Sequence, residues 1–467
     1  KKMEAFGHLI NGKIVTSDQT YDVVNPATEE VLAAAPEATL EQVEEAVSAA
    51  AEAFKKWSRT SFEERKKVLH EANEIIKANH EELSLLLTSE QGKPLDQAKE
   101  EITLCHDWAE SPLSQEWPVE KISDNVEVHY YPLGVVVGIC PWNFPPLMAY
   151  AKVAYAVLAG NTIVIKPSPF TPLTTLKIGE LIKDVFPPGV VNILSGGNDV
   201  GAALSSHPKV AKVSFTGSVP TGKKIMNVAS EDLKRITLEL GGNDAAIVLP
   251  DCDPKVVAPK LFIGAFANCG QICCAIKRLY VHEDIFDDVV SELSTIANNT
   301  KVGDGKEEGV VIGPINNSMQ FKKVCDFVED AKAHGAVFHT GGKPQEGKGY
   351  FFPPTIVTNV DDEVRLVKEE QFGPVLPVLK WKDEEEVLER ANNSKYGLGG
   401  SVWSPDRKKA TDLARQLQCG TAWVNQHLEG SSEIPFGGAK WSGIGVEYGH
   451  WGFEEFTQRQ AVNCADL

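Results

Sequence analysis

The sequence lacks any uninterrupted apolar stretch long enough to cross a bilayer as a helix, a span that needs about 20 residues. Basic residues are also scarce, because 46 Lys and Arg stand against 65 Asp and Glu, giving a formal net charge of -19. Binding to nucleic acid relies on clustered basic side chains. The composition therefore predicts neither a membrane nor a nucleic acid as a partner.

Cysteines suited to crosslinking or metal binding are also lacking. The nine cysteines are an odd number and are scattered along the chain, a pattern that favours a reducing compartment over a disulfide framework. Cys269 lies four residues before Cys273, but no second Cys or His pair follows at the spacing of a zinc site. We expect no metal and a cytoplasmic location. Because the sequence begins at Lys1 rather than at a methionine, it does not exclude a targeting segment upstream.

No repeat at a period of 20 to 50 residues and no low-complexity linker interrupts the chain. Capping-box patterns, Thr39 with Gln42 and Ser61 with Glu64, predict two amphipathic helices, one over residues 39 to 57 and one from residue 61. From residue 126, short β-branched segments alternate with helical ones, and a second series of this kind follows Glu239. This alternation predicts an α/β fold with two domains.

The segment FTGSVPTGKK, residues 215 to 224, follows a predicted strand and opens a helix. Gly217, Gly222 and Lys223 have the spacing of a phosphate-binding loop, but Lys224 stands where that loop needs Ser or Thr to hold magnesium. With Asp251 as an acidic strand end, a nucleotide triphosphatase is one hypothesis. A helix N-terminus that faces a pyrophosphate without metal is a second, and a purely structural turn is a third. The usual GxGxxG fingerprint is missing.

Three residues are candidates for catalysis. Cys273 in GQICC is a possible thiol nucleophile, and Glu239 in TLELGGND is a possible carboxylate base. Asn143 lies in a Pro-bounded turn, where its amide is suited to developing oxyanion charge. Cys273 and Asn143 also have ordinary interpretations, as a buried structural cysteine and as a turn asparagine.

Seven motifs occur in order along essentially the whole chain: PWNFP, KPS, FTGS, ELGG, GQIC, EEQFGPV and PFGGAKWSG. In this the chain resembles the aldehyde dehydrogenase superfamily. The resemblance implies a Rossmann-like cofactor domain, a second α/β catalytic domain and a small β oligomerisation element. The corresponding ranges are 1–115 with 134–241 for the NAD(P)-binding domain, 242–441 for the catalytic domain, and 116–133 with 442–467 for the oligomerisation element.

The resemblance also implies residue roles. Cys273 attacks an aldehyde to give a thiohemiacetal, hydride passes to NAD(P)+, and Glu239 activates the water that hydrolyses the resulting thioester. Asn143 and the backbone N–H of Cys273 donate hydrogen bonds to the oxyanion. Lys152 matches a lysine that supports the active site in the family. A set of residues around the crevice is expected to bind the cofactor: Trp142, Lys166, Ser168, Gly217, Ser218, Gly241, Glu370 and Phe372.

One departure from the pattern concerns cofactor choice. Many NAD-preferring members carry a glutamate three residues after the lysine of KPS, and this chain has Pro169 there. Without that carboxylate a 2′-phosphate meets less repulsion. We therefore expect NAD+ as the cofactor, with NADP+ tolerated.

On the substrate side, the matching positions predict a mostly apolar tunnel lined by Met148, Ala151, Ile272, Cys274, His427, Leu428 and Phe436. Ala151 opens space where many relatives have a large aromatic residue, and His427 is expected to be a wall residue. None of these positions is an arginine, which favours a neutral aliphatic or aromatic aldehyde over the alternative, a semialdehyde. Glu239 favours hydrolysis over transfer to coenzyme A. Retention of both Cys273 and Glu239 argues against a catalytically inactive binding protein.

The resemblance further implies a homodimer or homotetramer. The predicted interface consists of the strand pair near residues 116 to 133 and the tail EEFTQRQAVNCADL. Such a tail would leave an exposed strand edge in a monomer.

Overall fold

The computed structural model describes residues 5–114 and 116–466. The predicted domain limits at residues 1, 115 and 467 thus lie outside the described residues. Within the described ranges, no helix has the length and apolar character to cross a membrane.

Fifteen α-helices lie in the described part of the chain: α1 (Leu40–Trp57), α2 (Phe62–Ala78), α3 (His80–Gln91), α4 (Leu95–Glu110), α5 (Pro145–Leu158), α6 (Leu173–Ile182), α7 (Asn198–Ser206), α8 (Val219–Glu231), α9 (Pro254–Phe266), α10 (Phe286–Asn299), α11 (Ser318–Ala333), α12 (Arg365–Lys368), α13 (Glu384–Asn392), α14 (Arg407–Ala414) and α15 (Gly449–Glu454). Both predicted capping boxes are confirmed. The Thr39 and Ser61 hydroxyls accept hydrogen bonds from the third residue of α1 and α2, and the side chains of those residues reciprocate.

The strands, also in chain order, are β1 (His8–Ile10), β2 (Lys13–Val15), β3 (Thr20–Asn25), β4 (Glu30–Pro36), β5 (Val119–Ser123), β6 (Val126–Pro132), β7 (Val135–Ile139), β8 (Thr162–Lys166), β9 (Val191–Ile193), β10 (Val210–Thr216), β11 (Arg235–Glu239), β12 (Asp244–Val248), β13 (Ile276–His282), β14 (Val337–Phe338), β15 (Thr355–Thr358), β16 (Val375–Trp381), β17 (Tyr396–Gly397), β18 (Gly399–Trp403), β19 (Thr421–Val424), β20 (Ala439–Lys440), β21 (Gly443–Ile444) and β22 (Thr457–Asn463).

The larger sheet has eight strands in the order β2-β1-β9-β8-β7-β10-β11-β21. Its five central strands are parallel, while β1, β2 and β21 join antiparallel at the two edges. Both faces are covered, because Val136 of β7 packs in the core under α5 and α6, whereas Val135 and Val137 pack with α1, α7 and α8. This arrangement explains why β7 and β8 are buried along their whole length.

The second sheet has seven strands in the order β14-β15-β16-β13-β12-β18-β19, and all but β14 run parallel. It carries its own apolar core, with α9, α10 and α11 packed against it. The fold is therefore α/β, as predicted, with two separately cored sheets.

A third sheet combines β22, β6 and β5 in that order. It joins the strand pair near residues 116 to 133 to the C-terminal strand, and β5 is exposed along its whole length. One segment departs from the predicted ranges: Gly443 and Ile444 form β21, which pairs with β11 of the large sheet. The functional division into domains stays a prediction.

Candidate active site

Parallel pairing aligns the ends of four strands in the large sheet. Ile139 is in register with Lys166 and with Phe215, and Thr216 is in register with Glu239. Lys166, Thr216 and Glu239 therefore lie along the carboxyl edge of the sheet. This is the edge at which α/β sheets bind ligands.

The second sheet presents its amino edge to the same place. β11 ends at Glu239 and β12 begins at Asp244, so only four residues connect the two sheets. Asp244 is in register with Ile276 at the start of β13, and Cys273 lies in the loop just before that strand. A Cβ at Gly242 would lie 2.7 Å from the carbonyl oxygen of Cys273. Glycine thus lets the connecting segment pack directly against the cysteine loop.

The loop before Cys273 has an unusual backbone. Asn268 (φ 49°), Cys269 (φ 58°) and Gly270 (φ 70°) are all left-handed, a conformation that costs non-glycine residues about 1–3 kcal/mol each. The Asn268 side chain stabilises it, because Nδ2 donates to the Asn143 carbonyl at 3.0 Å and Oδ1 accepts from Gln91 at 3.2 Å. A fixed, strained turn therefore presents Cys273.

Cys273 is partly exposed, and its backbone is held by a buried cation. The Lys277 ammonium donates to the carbonyls of Cys273 (2.6 Å) and Ile272 (2.9 Å). It also lies 3.7 Å from Glu370 Oε1. Lys277 consequently links the cysteine loop to a residue expected to bind the cofactor.

Glu239 is 4% exposed, and neither of its carboxylate oxygens has a hydrogen-bond partner among the described residues. Burial raises the pKa of Glu239 well above its ordinary value. The charges of Glu447 and Cys273 raise this pKa further, whereas Lys152 lowers it. A buried carboxyl of this kind, with both oxygens uncommitted beside a thiol, is suited to general base catalysis.

Lys152 is buried on α5 and forms an ion pair with Glu447, whose side chain is also buried. The Lys152 ammonium donates to Thr216 Oγ1 at 2.9 Å, and Ser214 Oγ donates to Glu447 Oε1 at 3.3 Å. Because both charges act on the pKa of Glu239, the pair is part of the electrostatic surroundings of the candidate base.

Asn143 is buried, and its amide Nδ2 donates to the Gln271 carbonyl at 2.9 Å. The NH2 group carries a second hydrogen, which is available to another acceptor. The Asn143 carbonyl accepts from Lys93 Nζ at 2.9 Å, and Lys93 is ion-paired with the buried Glu101 at 2.5 Å. The amide is thus anchored beside the cysteine loop.

The Lys166 side chain is buried at the end of β8, and its one hydrogen bond within the described structure is a 3.3 Å contact with the Pro167 carbonyl. Burial lowers the pKa of Lys166 to about 8, against an opposing effect of the Glu37 carboxylate. Ser168 Oγ accepts from the Phe170 N–H at 3.3 Å within the following turn. The ammonium has spare donor capacity, which fits ribose hydroxyls.

Ser218 is exposed and is the N-cap of α8, where its hydroxyl accepts from the Thr221 N–H at 3.4 Å. The N–H of Gly217 donates to the Glu239 carbonyl at 2.9 Å and ties this turn to β11. The first N–H groups of a helix form a natural anion site. The turn therefore fits a pyrophosphate.

Glu370 lies against the segment that joins the sheets. Its Oε1 accepts from the Gly242 N–H at 3.0 Å, and a Cβ at Gly241 would lie 2.2 Å from Oε2. Gly241 thus admits the Glu370 carboxylate by having no side chain. Nearby, the rings of Phe372 and Trp142 meet edge to face with centroids 5.2 Å apart. The ammonium, the helix N-terminus and this carboxylate together fit a dinucleotide.

The predicted substrate residues form apolar surroundings for Cys273. Four of them, Ile272, Cys274, Leu428 and Phe436, pack in one cluster with Cys273, Leu398 and Trp423. Met148 and Ala151 lie on α5 next to Lys152.

His427 differs from its predicted place on the tunnel wall. Its side chain is fully buried, and its nitrogens contact Ser401 Oγ (2.9 Å) and the Cys274 carbonyl (2.7 Å). Burial also lowers the pKa of His427 to about 3. The imidazole lies behind the cysteine loop because two polar partners hold it there.

Three residues that the sequence did not single out lie at this site. Lys277 follows Cys273 by four positions, and its sequence position alone is typical of a solvated lysine. Glu447 and Tyr448 follow the PFGGAKWSG motif by only four and five residues, but neither belongs to it. The ion pair of Glu447 with Lys152 places this segment at the site, and the two residues are 295 positions apart, so no local pattern indicates it.

The features behind the triphosphatase hypothesis have other partners. The Lys223 ammonium lies 3.6 Å from the centroid of the Trp441 ring, and Asp251 accepts from Ser404 Oγ at 2.7 Å. Both side chains have structural roles that need no nucleotide.

Comparisons with known proteins agree with this geometry. The model of the aldehyde dehydrogenase family matches residues 14–462. The aldehyde dehydrogenase LUC3 of a Fusarium species is 39% identical over 462 residues, which cover 98% of each chain. Betaine aldehyde dehydrogenase 1 of Oryza sativa subsp. japonica is 40% identical over 465 residues, which cover 95% of this chain and 92% of that protein.

Among solved structures, the NAD+ complex of an aldehyde dehydrogenase from Bacillus cereus superposes with a TM-score of 0.95 at 38% identity. The match covers 98% of this chain and 96% of that one. Together with the family match, this likeness sets the triphosphatase hypothesis aside. The chain belongs to the aldehyde dehydrogenase family.

Proposed function

We propose that this protein oxidises a neutral aldehyde to the carboxylic acid, with Cys273 as the nucleophile and Glu239 as the base for hydrolysis. The observation that carries the proposal is the buried Glu239 carboxyl, which has both oxygens uncommitted and lies within electrostatic reach of Cys273. A separate base allows the thiol to form a covalent intermediate that water then releases.

The first half-reaction begins when the Cys273 thiolate adds to the aldehyde carbon. The oxyanion that develops accepts hydrogen bonds from Asn143 Nδ2 and from the backbone N–H of Cys273, an arrangement that stabilises its charge. The oxidised nicotinamide of a bound cofactor supplies the acceptor for the hydride that leaves this carbon. Collapse of the adduct leaves a thioester on Cys273.

Glu239 acts as the general base in the second half-reaction. Its carboxylate takes a proton from water, the resulting hydroxide adds to the thioester carbon, and the Cys273 thiolate leaves as the acid forms. Burial and then the charge of Glu447 raise the pKa of Glu239, and the Lys152 ammonium opposes part of this increase.

Residues on both sides of the crevice would hold the cofactor. Lys166 and Ser168 suit the adenosine ribose, and Gly217 and Ser218 suit the pyrophosphate. Glu370 suits the nicotinamide ribose, beside Phe372 and Trp142. Gly241 contributes by leaving room for the Glu370 carboxylate.

We infer a preference for NAD+ with NADP+ tolerated. Pro169 offers no carboxylate to repel a 2′-phosphate, which would relax the preference. The Glu37 carboxylate lies close enough to Lys166 for its charge to act on the pKa of that ammonium, and its Oε1 accepts from the Gly197 N–H at 2.9 Å. A carboxylate in this place restores part of the repulsion of a 2′-phosphate. The NAD+ complex of the Bacillus cereus relative supports the same direction.

The substrate is most consistent with a neutral aliphatic or aromatic aldehyde, because apolar side chains surround Cys273. A semialdehyde would need a cation for its carboxylate, and none of the residues predicted to line the tunnel is an arginine.

The protein is also proposed to be a homodimer or homotetramer that assembles through the sheet of β22, β6 and β5. Exposed apolar side chains occur on β5 and β22, among them Val119, Ile122 and Val462, and the outer edge of β5 is unpaired within the described structure. Pairing of such an edge between subunits would cover it. All nine cysteines are free thiols, which is consistent with the proposed cytoplasmic location.

Absorbance of the reduced nicotinamide tests the function, with a panel of aliphatic and aromatic aldehydes supplied with either NAD+ or NADP+. We expect aldehyde-dependent reduction, formation of the acid and a higher kcat/KM with NAD+. ATP hydrolysis without aldehyde oxidation would contradict the proposal.

A further inference from the structure

Tyr448 has a backbone conformation that almost only glycine adopts, with φ 67° and ψ 165°. Backbone hydrogen bonds of the two neighbouring residues hold Tyr448 in this conformation. Glu447 exchanges two backbone hydrogen bonds with Phe436 at 2.7 and 2.8 Å, and the Gly449 N–H donates to the Ser432 carbonyl at 2.8 Å. Strain that is held this firmly occurs preferentially at ligand sites.

The strained backbone directs the Tyr448 side chain onto α5. Its hydroxyl lies 3.9 Å from Met148 Sδ, and its ring centroid lies 6.2 Å from that of Tyr155. Met148, Ala151 and Tyr155 are spaced i, i+3 and i+7 and share one face of the helix. The ring of Tyr448 therefore lies over Ala151, in the space that the small alanine leaves.

Other aromatic and apolar side chains complete this wall. Trp108 meets Tyr448 edge to face with centroids 4.7 Å apart, and Phe436 packs beside Cys273. Flat apolar walls of this kind suit an aromatic ring.

The Tyr448 hydroxyl is the polar feature of the wall. The thioether of Met148 is its one hydrogen-bond partner in the described structure, and sulfur of this type is a weak acceptor. A buried phenol usually finds a stronger partner. Burial raises the pKa of Tyr448 well above its ordinary value, and the negative charge of Glu447 raises this pKa further. The hydroxyl therefore stays protonated and can donate a hydrogen bond.

We propose that Tyr448 is a specificity-determining residue whose hydroxyl donates a hydrogen bond to an oxygen substituent on the ring of an aromatic aldehyde. The inference rests on the proposed aldehyde oxidation. It deepens that function by naming the substrate class as aromatic aldehydes with a hydroxyl or ether oxygen away from the carbonyl group.

The test compares kcat/KM for benzaldehyde with that for its meta-methoxy and para-methoxy derivatives, in the wild type and in Tyr448→Phe. The electronic effect of the methoxy group on the carbonyl is the same for both proteins, so it cancels when their preference ratios are compared. The preference ratio is kcat/KM for the methoxy derivative divided by kcat/KM for benzaldehyde. For at least one methoxy derivative, we expect this ratio to be about five- to tenfold lower in Tyr448→Phe than in the wild type, which is the effect of losing one hydrogen bond. The loss should appear chiefly in KM.

Tyr150→Phe is the matched control, because it removes another buried hydroxyl from α5, one that donates to Asn73 Oδ1 at 2.7 Å and is not on the face that Tyr448 contacts. Its preference ratio should equal that of the wild type. An unchanged ratio in Tyr448→Phe, or an equal change in both variants, would overturn the inference. Oxidation of aliphatic aldehydes alone would also overturn it while leaving the proposed function intact. With no aldehyde oxidised at all, the proposed function itself fails.

Discussion

The Lys277 ammonium donates a 2.6 Å hydrogen bond to the backbone carbonyl of Cys273 and lies 3.7 Å from Glu370 Oε1. One buried cation thus positions both the candidate nucleophile and a residue expected to hold the nicotinamide ribose. It does so through the backbone of the nucleophile rather than through its thiol.

Replacing this lysine in Lys277→Met should release the cysteine loop. We expect kcat/KM to fall on the order of a hundredfold, since small displacements of reacting groups have effects of that size. Steady-state kinetics checks this expectation. Lys234→Met is the matched control, because Lys234 is also a buried lysine that donates to two backbone carbonyls, those of His207 and Val210. Equal losses of activity in both variants, after correction for the folded fraction, would show a purely structural role.

The pH dependence of hydrolysis should report the surroundings of Glu239. Burial and the charge of Glu447 raise the pKa of Glu239, and this base acts only after losing its proton, so the rate should rise with pH through that pKa. Glu447→Gln removes a negative charge and should lower this pKa. The rising limb of the kcat profile should then move by about one pH unit to lower pH.

Glu455→Gln is the control for this profile, because Glu455 is the weakest of the neighbouring charges that raise the pKa of Glu239. Its shift should have the same direction and be smaller. A limb that moves to higher pH in Glu447→Gln would contradict the electrostatic account.

A carboxylate introduced beside Lys166 should strengthen the cofactor preference. In Pro169→Glu, the ratio of kcat/KM for NAD+ over NADP+ should increase about tenfold, because a charge placed close to a 2′-phosphate repels it. Pro169→Gln has nearly the same shape without the charge and should change the ratio little. Equal ratios in the two variants would show that charge at this position does not select the cofactor.

The sheet of β22, β6 and β5 is expected to carry the subunit interface. Ile122 on β5 is 63% exposed, and Ile122→Asp should shift the protein toward smaller species in light scattering, because a buried unpaired charge opposes association. Leu233→Asp is the control at an 87% exposed apolar position outside this sheet. A wild type that is monomeric would refute the assembly, and so would an Ile122→Asp variant that assembles normally.

Local patterns predicted much of this fold. Capping boxes placed the starts of α1 and α2 correctly, because a helix N-terminus is determined by residues within one turn. The edge strand β21 was not predicted, since Gly443 pairs with Glu239 from some 200 positions away and short strands carry little pattern of their own.

The residues of the candidate site show the same difference between local patterns and distant contacts. Cys273, Glu239 and Asn143 belong to compact motifs, so their importance could be inferred from the residues around them. The roles of Lys277 and Glu447 also depend on ion pairs with residues distant in sequence, Glu370 and Lys152. An isolated lysine or glutamate has no local signal for burial. The space above Ala151 was predicted from that residue alone, whereas Tyr448, about 300 positions later, reaches this face of α5 only through tertiary contacts with Met148 and Tyr155.

The central claim is that Cys273 and Glu239 serve separate half-reactions, and rapid mixing of Glu239→Gln with aldehyde and NAD+ tests it most directly. The variant should produce a burst of reduced cofactor close to one equivalent per site and then turn over very slowly, with the acyl group retained on Cys273 and detectable by mass spectrometry. Steady turnover at the wild-type rate would contradict the account, as would the absence of both the burst and the acyl adduct.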